Sequence, residues 1–325
     1  MWGMTPNLLE IVVPAHNEAR RLPAGLALLS QKVTALPFGV VIVVVDSAST
    51  DGTADVVRNW PDGGAPVRLV RCDRLGKGAA VRAGLLATSA PFVGFCDADM
   101  AADLSALDAA VSLLAAGHAA VIGSRAHQDS VVEVRHSKIR RMGAAAFRAW
   151  ARTVITGVTD TQCGFKFFAG PLARAAAAAM TTEGFAFDVE LLARCSVLGA
   201  GLTEIPVIWR DVPGSTFSVR RHSLRAFGDV ASIWLRLRVP GSRRRRAPRS
   251  LAAVATGSLP SGETALPPLP LPPPRSGITA VAGGAQQRCD PVEAQLTWRT
   301  CGPHPAARRG PGRGQPGWMA CALPS

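Results

Sequence analysis

The stretch Val93-Gly94-Phe95-Cys96-Asp97-Ala98-Asp99 is an apolar run followed at once by two acidic residues. The run predicts a buried strand, and on an extended chain positions i and i+2 point to the same side. Asp97 and Asp99 can therefore converge on one divalent cation. A cation held there can neutralise a departing diphosphate, which makes both acids candidate catalytic and metal-binding residues. Because such acidic triplets are also common in surface turns, the interpretation depends on the neighbouring segments.

The surrounding chain alternates short β-branched runs with longer helical patterns. Strands are predicted at 8–13, 40–45, 67–70, 92–96, 119–122 and 203–209, and helices at 18–36, 53–59, 78–88, 103–116, 136–156, 171–180, 188–198 and 224–237. This alternation indicates an α/β fold with a mostly parallel central sheet and right-handed crossovers. In such sheets ligands bind beyond the carboxyl ends of the strands.

Polar segments follow each of the first four predicted strands, at 14–18, 46–51, 73–77 and 97–99. We expect these four loops to converge on one edge of the sheet. Asp46 could accept hydrogen bonds from a base or ribose there. Lys77 stands between two glycines at a predicted helix N-terminus, a position that favours anions. Helix capping is the structural alternative for Asn17 and Glu18, and a plain basic loop is the alternative for Lys77.

Ser124 and Arg125 follow the fifth predicted strand and bring a guanidinium to the same edge. Arginine suits bidentate contact with a phosphate, whereas a surface ion pair is the structural alternative.

The segment from Val239 to Ser325 differs from the rest of the 325-residue chain in composition. It has 11 Arg and no Lys against 3 acidic residues, and it holds 15 of the 25 prolines. Such a segment buries too little apolar surface to offset its chain entropy, so we predict a globular domain at 1–238 and a disordered tail at 239–325. The basic excess lies largely in this tail, which contains the run Arg243-Arg244-Arg245-Arg246, and not on a patterned face with interleaved aromatic residues, so no nucleic-acid partner is expected.

The cysteines and the hydropathy pattern bear on the compartment. Seven scattered cysteines without a Cys-x-x-Cys pair favour reduced thiols. No basic leader precedes the first strand, and no apolar run reaches the roughly 18 residues of a spanning helix. We therefore expect a cytoplasmic protein with peripheral contact at the cytoplasmic membrane face. The basic amphipathic helix at 136–156 suits the bilayer interface, although core packing of its apolar side is equally compatible.

Taken in order, these segments resemble glycosyltransferase family 2, and more narrowly the polyprenyl-phosphate sugar transferases of the dolichyl-phosphate type. The resemblance rests on 13–18 (VPAHNE), 45–53 (VDSASTDGT), 76–80 (GKGAA), 97–99 (DAD), 160–168 (DTQCGFKFF), 185–192 (FAFDVELL) and 204–207 (EIPV), followed by Trp209 and Gly214-Ser215. It covers about residues 8–238. It implies a GT-A, nucleotide-sugar-binding α/β fold.

The resemblance also implies roles for individual residues. The nucleotide-sugar donor would contact Pro14, Ala15, Asn17, Glu18, Asp46, Lys77, Asp97, Ala98 and Asp99, with Asp97 and Asp99 holding Mg²⁺ or Mn²⁺; the acceptor phosphate would lie near Ser124, Arg125, Lys166 and Arg210. Two departures stand out. Ser47 occupies a position where similar proteins have a second Asp, and Thr216 one where they often have a basic residue that Arg210, Arg220 or Arg221 could replace.

The expected reaction follows from the acceptor. A phosphate monoester is largely dianionic at neutral pH and is already a nucleophile, so no general base is needed. We expect metal-dependent, inverting transfer of a sugar to a polyprenyl phosphate. One alternative is a family 2 enzyme with a hydroxyl acceptor and Asp188 as the base. Another is a non-catalytic sugar-nucleotide-binding protein, or an adaptor that works through its basic tail.

Overall fold

The computed structural model describes residues 7–133, 138–210 and 219–238, without the side chains of 138–141 and 219–225. The strands are β1 (Asn7–Ala15), β2 (Gly39–Ser47), β3 (Val67–Cys72), β4 (Phe92–Cys96), β5 (Ala120–Ser124), β6 (Val131–Glu133), β7 (Phe165–Ala169), β8 (Leu202–Pro206) and β9 (Ile208–Arg210). The helices are α1 (Leu22–Thr34), α2 (Thr53–Arg58), α3 (Lys77–Leu86), α4 (Ala106–Ala115), α5 (Lys138–Ala151), α6 (Gly170–Ala179), α7 (Phe187–Val197) and α8 (Val219–Arg238).

Seven strands form one sheet in the order β3-β2-β1-β4-β7-β5-β8, while β6 and β9 pair separately. The pairs among β1 to β4 and the pair β5 with β8 are parallel, and β7 runs antiparallel between β4 and β5. The predicted α/β fold with a mostly parallel sheet is confirmed. The carboxyl ends of β1 to β5 consequently share one edge of the sheet.

Helices cover both faces of this sheet. On one face the apolar residues of α1 and α4, such as Leu26 and Leu107, pack against Ile11 of β1 and Ile42 of β2. On the other face α3, α6 and α7 pack against the alternate residues of the same strands, including Val12 and Val43. Because side chains on successive strand residues point to opposite faces, the continuous apolar runs of β1 and β2 fill two cores at once.

Strand β7 was not predicted from the strand pattern. All five of its residues, Phe-Lys-Phe-Phe-Ala, are buried, and Lys166 interrupts what would otherwise be a recognisable apolar run. The interruption is tolerated because Lys166 has an ionic partner, Asp188, in the interior.

Several element boundaries also differ from the prediction, and two of the differences have a clear physical cause. Helix α1 begins at Leu22 and not at residue 18, because Asn17 has a positive φ of 53° and Pro23 occupies the first helical turn, where proline is favoured. The single strand predicted at 203–209 is divided into β8 and β9, since Pro206 has no N–H to continue the ladder and Ile208–Arg210 pair with β6 instead.

Several predictions concern residues outside the described ranges. These are the disordered tail, the domain boundary after residue 238, Gly214-Ser215 and Thr216, and the side chains of Arg220 and Arg221. They remain predictions. Within the ranges that are described, no helix combines the length and the apolar character needed to cross a membrane.

Candidate active site

The four polar loops after β1, β2, β3 and β4 meet at one edge of the sheet. The backbone N–H of Asn17 donates to Ser49 Oγ at 2.9 Å, which joins the first loop to the second. Ser47 Oγ donates to the Arg74 carbonyl at 2.7 Å, which joins the second loop to the third. Lys77 Nζ lies 2.5 Å from Asp97 Oδ1, which joins the third to the fourth. The convergence expected from the order of strands and loops is thus present.

Asp97 and Asp99 lie at the tip of β4, and both are partly exposed. The Asp97 N–H donates to the Gly164 carbonyl at 3.1 Å, and Asp99 Oδ1 accepts from the Ala101 N–H at 3.2 Å. Burial and the neighbouring Asp97 charge together raise the pKa of Asp99. Two carboxylates that repel one another in a recess form a site whose charge a divalent cation would balance.

Lys77 supplies a positive charge beside this acidic pair. Its contact with Asp97 is a close ion pair, and the buried Asp97 Oδ1 has no other partner among the described residues. Burial by itself would lower the pKa of Lys77, but the charges of Asp97, Asp188 and Asp99 outweigh burial and raise it. Lys77 therefore carries its charge at neutral pH.

The N-terminus of α3 differs from the expectation in one respect. The N–H groups of Gly78 and Ala79 both donate to the carbonyl of Glu183, at 2.8 and 3.3 Å. Amides that already have an acceptor are not free to bind an anion. Of the two features that favoured an anion here, the Lys77 side chain is retained, whereas the N–H groups of Gly78 and Ala79 are already engaged.

The predicted nucleoside-binding residues line the first two loops. Pro14 and Ala15 end β1, where Ala15 is in register with Asp46. Asp46 is 2% exposed, with Oδ1 accepting from the Ser49 N–H at 3.2 Å. Asn17 Oδ1 accepts from the Thr50 N–H at 2.9 Å, while Glu18 pairs with Arg21 at 2.5 Å. Asn17 thus joins the first two loops, and Glu18 pairs within its own loop at the expected edge. Neither side chain caps α1, which has no side-chain cap hydrogen bond, so the helix-capping alternative is wrong for both residues.

Arg125 is held by a carboxylate to which sequence reasoning gave no role. Asp160 accepts from Arg125 Nε at 2.6 Å, from Nη2 at 2.8 Å and from the backbone N–H at 3.0 Å. The guanidinium carbon lies 4.7 Å from the centre of the Trp209 ring. Burial alone would raise the pKa of Asp160, but the hydrogen bonds and charge of Arg125 lower it to about 2. This clamp fixes Arg125 beside the tip of β5.

Glu204 on β8 holds the backbone of the segment that carries Asp160. Its carboxylate accepts the N–H groups of Thr159 and Asp160, each at 3.0 Å. Ser124 is fully buried, and its Oγ has no hydrogen-bond partner among the described residues. Arg210 is an exposed residue that pairs with Asp103 at 3.1 Å and with Glu133 at 3.2 Å.

Lys166 requires a correction. It was expected near an acceptor phosphate, but it is 0% exposed, with Nζ 2.6 Å from Asp188 Oδ1 and 2.5 Å from the Cys163 carbonyl. Asp188 is 3% exposed, and burial raises its pKa even though Lys166 opposes that shift. The pair forms part of the interior behind the site. Lys166 already has a carboxylate and a carbonyl as partners there, so its ammonium is not available to an acceptor phosphate.

Two glycines that received no individual role shape the acidic loop. A Cβ on Gly25 of α1 would overlap the Ala98 carbonyl, and a Cβ on Gly164 would overlap the Asp97 carboxylate. Both glycines therefore allow the loop to lie against its neighbours. Gly164 lies within the 160–168 motif that supports the family resemblance, so the sequence offered a signal for it. Nothing in the pattern of α1 distinguished Gly25 from an ordinary helical position.

The two acids are a sparse donor set for a metal. In the part of the chain that the structure describes, no group of three or more His, Cys, Asp or Glu side chains is arranged to hold a metal ion. Oxygen donors with mutual repulsion fit a hard divalent cation, and the remaining ligands would come from a bound diphosphate and water.

Comparison with known proteins identifies the family of this chain. Residues 10–170 match the model of glycosyl transferase family 2. The chain is 34% identical over 249 residues to a dolichyl-phosphate beta-glucosyltransferase of Drosophila melanogaster, covering 71% of this chain and 76% of that protein. It is 31% identical over 231 residues to the human protein of the same name, covering 66% and 71% of the two chains.

A solved structure shares the fold. Glucosyl-3-phosphoglycerate synthase from Mycobacterium tuberculosis, crystallised with uridine diphosphate, superposes with a TM-score of 0.53 at 18% identity, covering 70% of this chain and 80% of that one. The resemblance drawn from the sequence motifs is confirmed. This protein is a glycosyltransferase, and it belongs to glycosyl transferase family 2.

Proposed function

We propose that this enzyme transfers a sugar, with glucose as the first candidate, from a nucleotide-diphosphate sugar to a polyprenyl phosphate of the dolichyl type. The observation that carries the proposal is the meeting of Asp97, Asp99 and Lys77 where the four loops converge. The names of the relatives, dolichyl-phosphate beta-glucosyltransferases, support the choice of sugar and lipid. The fold neighbour crystallised with uridine diphosphate makes UDP-glucose the donor to try first.

In this proposal the donor lies across the edge formed by β1, β2 and β4. The nucleoside-facing residues are Pro14, Ala15, Asn17, Glu18 and Asp46, and the residues facing the diphosphate are Lys77, Asp97, Ala98 and Asp99. Asp99 is the better candidate for direct metal ligation, because Asp97 already has Lys77 as a counter-ion. Mg²⁺ or Mn²⁺ bound there would stabilise the negative charge that develops on the departing diphosphate. Lys77 would add a mobile ammonium to the same oxygens.

The acceptor phosphate is proposed to bind beside Arg125. Asp160 engages Nε and Nη2, so Nη1 remains for a phosphate oxygen, and Trp209 holds the plane of the guanidinium. Ser124 Oγ is a buried hydroxyl without a partner in the described residues, next to this arginine. Arg210 is retained in the proposed acceptor site, where its ion pairs with Asp103 and Glu133 hold it at the same edge. Lys166 is not part of this proposed acceptor site, because it is buried and paired with Asp188.

The chemistry needs no protein base. An oxygen of the lipid phosphate attacks the anomeric carbon as the bond from that carbon to the donor diphosphate breaks, so the configuration inverts. An α-linked donor would give a β-linked product. The hydroxyl-acceptor alternative requires an accessible carboxylate, but Asp188 is buried and paired with Lys166. No observation favours that alternative, and the tail invoked by the adaptor hypothesis lies outside the described residues.

A lipid acceptor also calls for contact with a membrane, which we propose is peripheral, at the cytoplasmic face, and made by α5 and α8. The two helices pack together, with the rings of Phe147 and Phe227 5.7 Å apart. Met142 is 72% exposed and Leu235 is 57% exposed on this pair. In the sequence, 138–152 has five basic residues and no acid. Exposed apolar groups among cations are typical of helices that lie in the headgroup region.

The test uses the full chain with UDP-glucose, a short polyprenyl phosphate and Mg²⁺ or Mn²⁺, with GDP-mannose as a second donor. We expect a charged glucolipid in the organic phase. Asp99→Asn should abolish its formation, while Asp62→Asn, in an exposed turn at the opposite edge of the sheet, should not. Absence of any glycolipid from the wild-type enzyme, or unchanged turnover by Asp99→Asn, would contradict the proposal.

A further inference from the structure

The two acids at the tip of β4 differ in their counter-ions. Asp97 Oδ1 lies 2.5 Å from Lys77 Nζ, and this buried oxygen has no other partner among the described residues. Asp99 has one hydrogen bond, from the Ala101 N–H, and within the described residues no basic side chain lies within 4.0 Å of its carboxylate. The protein therefore neutralises one acid of the pair itself and leaves the other for an external cation.

Lys77 is able to leave Asp97. Its side chain is 23% exposed at the first residue of α3, and it has a flexible four-carbon stem. Its Nζ also lies 6.0 Å from the centre of the Phe187 ring, next to Asp188 on α7. The buried pair of Asp188 and Lys166 stands behind this position, at 2.6 Å from each other. Movement of Lys77 toward solvent consequently leaves the interior charges paired.

We propose that Lys77 pairs with Asp97 in the donor-free enzyme and moves to the donor diphosphate when the nucleotide binds. Before the nucleotide binds, Lys77 therefore competes with the metal for the Asp97 carboxylate. This positioning role rests on the proposed function, which supplies the metal and the diphosphate. Because the ammonium cannot neutralise both groups at once, nucleotide binding frees Asp97 and strengthens metal binding. By linkage the metal strengthens nucleotide binding by the same factor.

Removing the ammonium should therefore act in opposite directions on the two ligands. In Lys77→Gln, Mn²⁺ should bind the nucleotide-free enzyme about three- to tenfold more tightly, since a partly exposed competing ion pair is lost. UDP should bind about tenfold more weakly in the absence of metal, because a charge-assisted phosphate contact is lost. The factor by which UDP tightens Mn²⁺ binding should fall.

Mn²⁺ titrations followed by electron paramagnetic resonance, with and without UDP, test the proposal without any turnover. Lys77→Arg retains the charge and should stay near the wild type. Arg74→Gln removes a charge from the same loop, where Arg74 pairs with Glu183 and not with Asp97, and it should leave Mn²⁺ binding unchanged. Thermal midpoints would show that each variant is folded.

The outcomes separate this inference from the proposed function. If the wild type does not bind Mn²⁺, or if Asp99→Asn leaves binding intact, the metal role in the proposed function is wrong, and this inference falls with it. If Asp99→Asn abolishes binding but Lys77→Gln leaves the Mn²⁺ affinity unchanged or weaker, only the competition is wrong. An equal gain in Mn²⁺ affinity in Arg74→Gln would show that the loss of any nearby positive charge has this effect, and it would overturn the proposal.

Discussion

Gly164 lies directly against the carboxylate of Asp97, so closely that no side chain fits between them. The two residues are also joined by the Asp97 N–H, which donates to the Gly164 carbonyl at 3.1 Å. Gly164 precedes β7, the antiparallel strand inserted between β4 and β5. The position of the acidic pair is thus set partly by a strand more than sixty residues away in sequence.

Replacement of Gly164 by alanine should displace Asp97 and reduce sugar transfer at least about tenfold, because a misplaced catalytic group costs rate steeply. Gly201→Ala is a suitable control, since a Cβ at Gly201 meets nothing within 4 Å. Steady-state transfer rates and thermal midpoints of the two variants provide the comparison. Wild-type turnover by a folded Gly164→Ala variant would show that sugar transfer does not depend on the observed position of the Asp97 carboxylate.

Asp160 should stabilise the fold in a pH-dependent manner. Its pKa is about 2 in the folded state and about 3.9 in an unfolded chain, so the ionised form contributes about 2–3 kcal/mol above pH 4, which is lost as the pH falls toward 2. Asp160→Asn should therefore lower the free energy of unfolding at pH 7, and its difference from the wild type should narrow below pH 4. Urea unfolding from pH 7 to pH 3 measures both. A difference that stays constant across this range would contradict the assignment.

Lys166 and Asp188 should behave as a buried structural pair. Lys166→Met leaves an uncompensated carboxylate in the interior and should cost about 3–5 kcal/mol of stability. Adding Asp188→Leu should recover part of that loss, because no buried charge then remains. Urea unfolding of both single variants and the double variant gives the coupling energy. A stable Lys166→Met enzyme with an impaired KM for the lipid would instead favour the acceptor contact expected from the sequence.

The α5 and α8 helices should bind anionic lipid. Arg148→Gln combined with Arg152→Gln should weaken binding to vesicles containing phosphatidylserine by about ten- to thirtyfold, since each basic residue near such a surface contributes about 1 kcal/mol. Lys32→Gln with Arg58→Gln removes two charges from α1 and α2 and serves as the control. Co-sedimentation at low and high salt provides the measurement. Equal losses in both double variants would argue against a specific surface.

Much of the fold follows from local pattern. The continuous apolar runs of β1, β2 and β4 and the polar loops after them were sufficient to place Asp46, Lys77 and Asp97 at one edge. The contacts that define the site could not be predicted from local pattern, because they join segments that are distant in sequence. The Asp160 clamp on Arg125 spans 35 residues, and the charge of Lys166 concealed β7. Which acidic residue pairs with which basic one depends on tertiary packing and not on spacing in the sequence.

The most direct test of the account compares a polyprenyl phosphate with the corresponding free polyprenol as acceptors for the same UDP-glucose donor. Without an exposed base at Asp188, the enzyme should glucosylate only the phosphate, and nuclear magnetic resonance of the product should show a β-linked glucosyl phosphate. Transfer to the free alcohol at a comparable rate, or an α-linked product, would contradict displacement by the lipid phosphate itself.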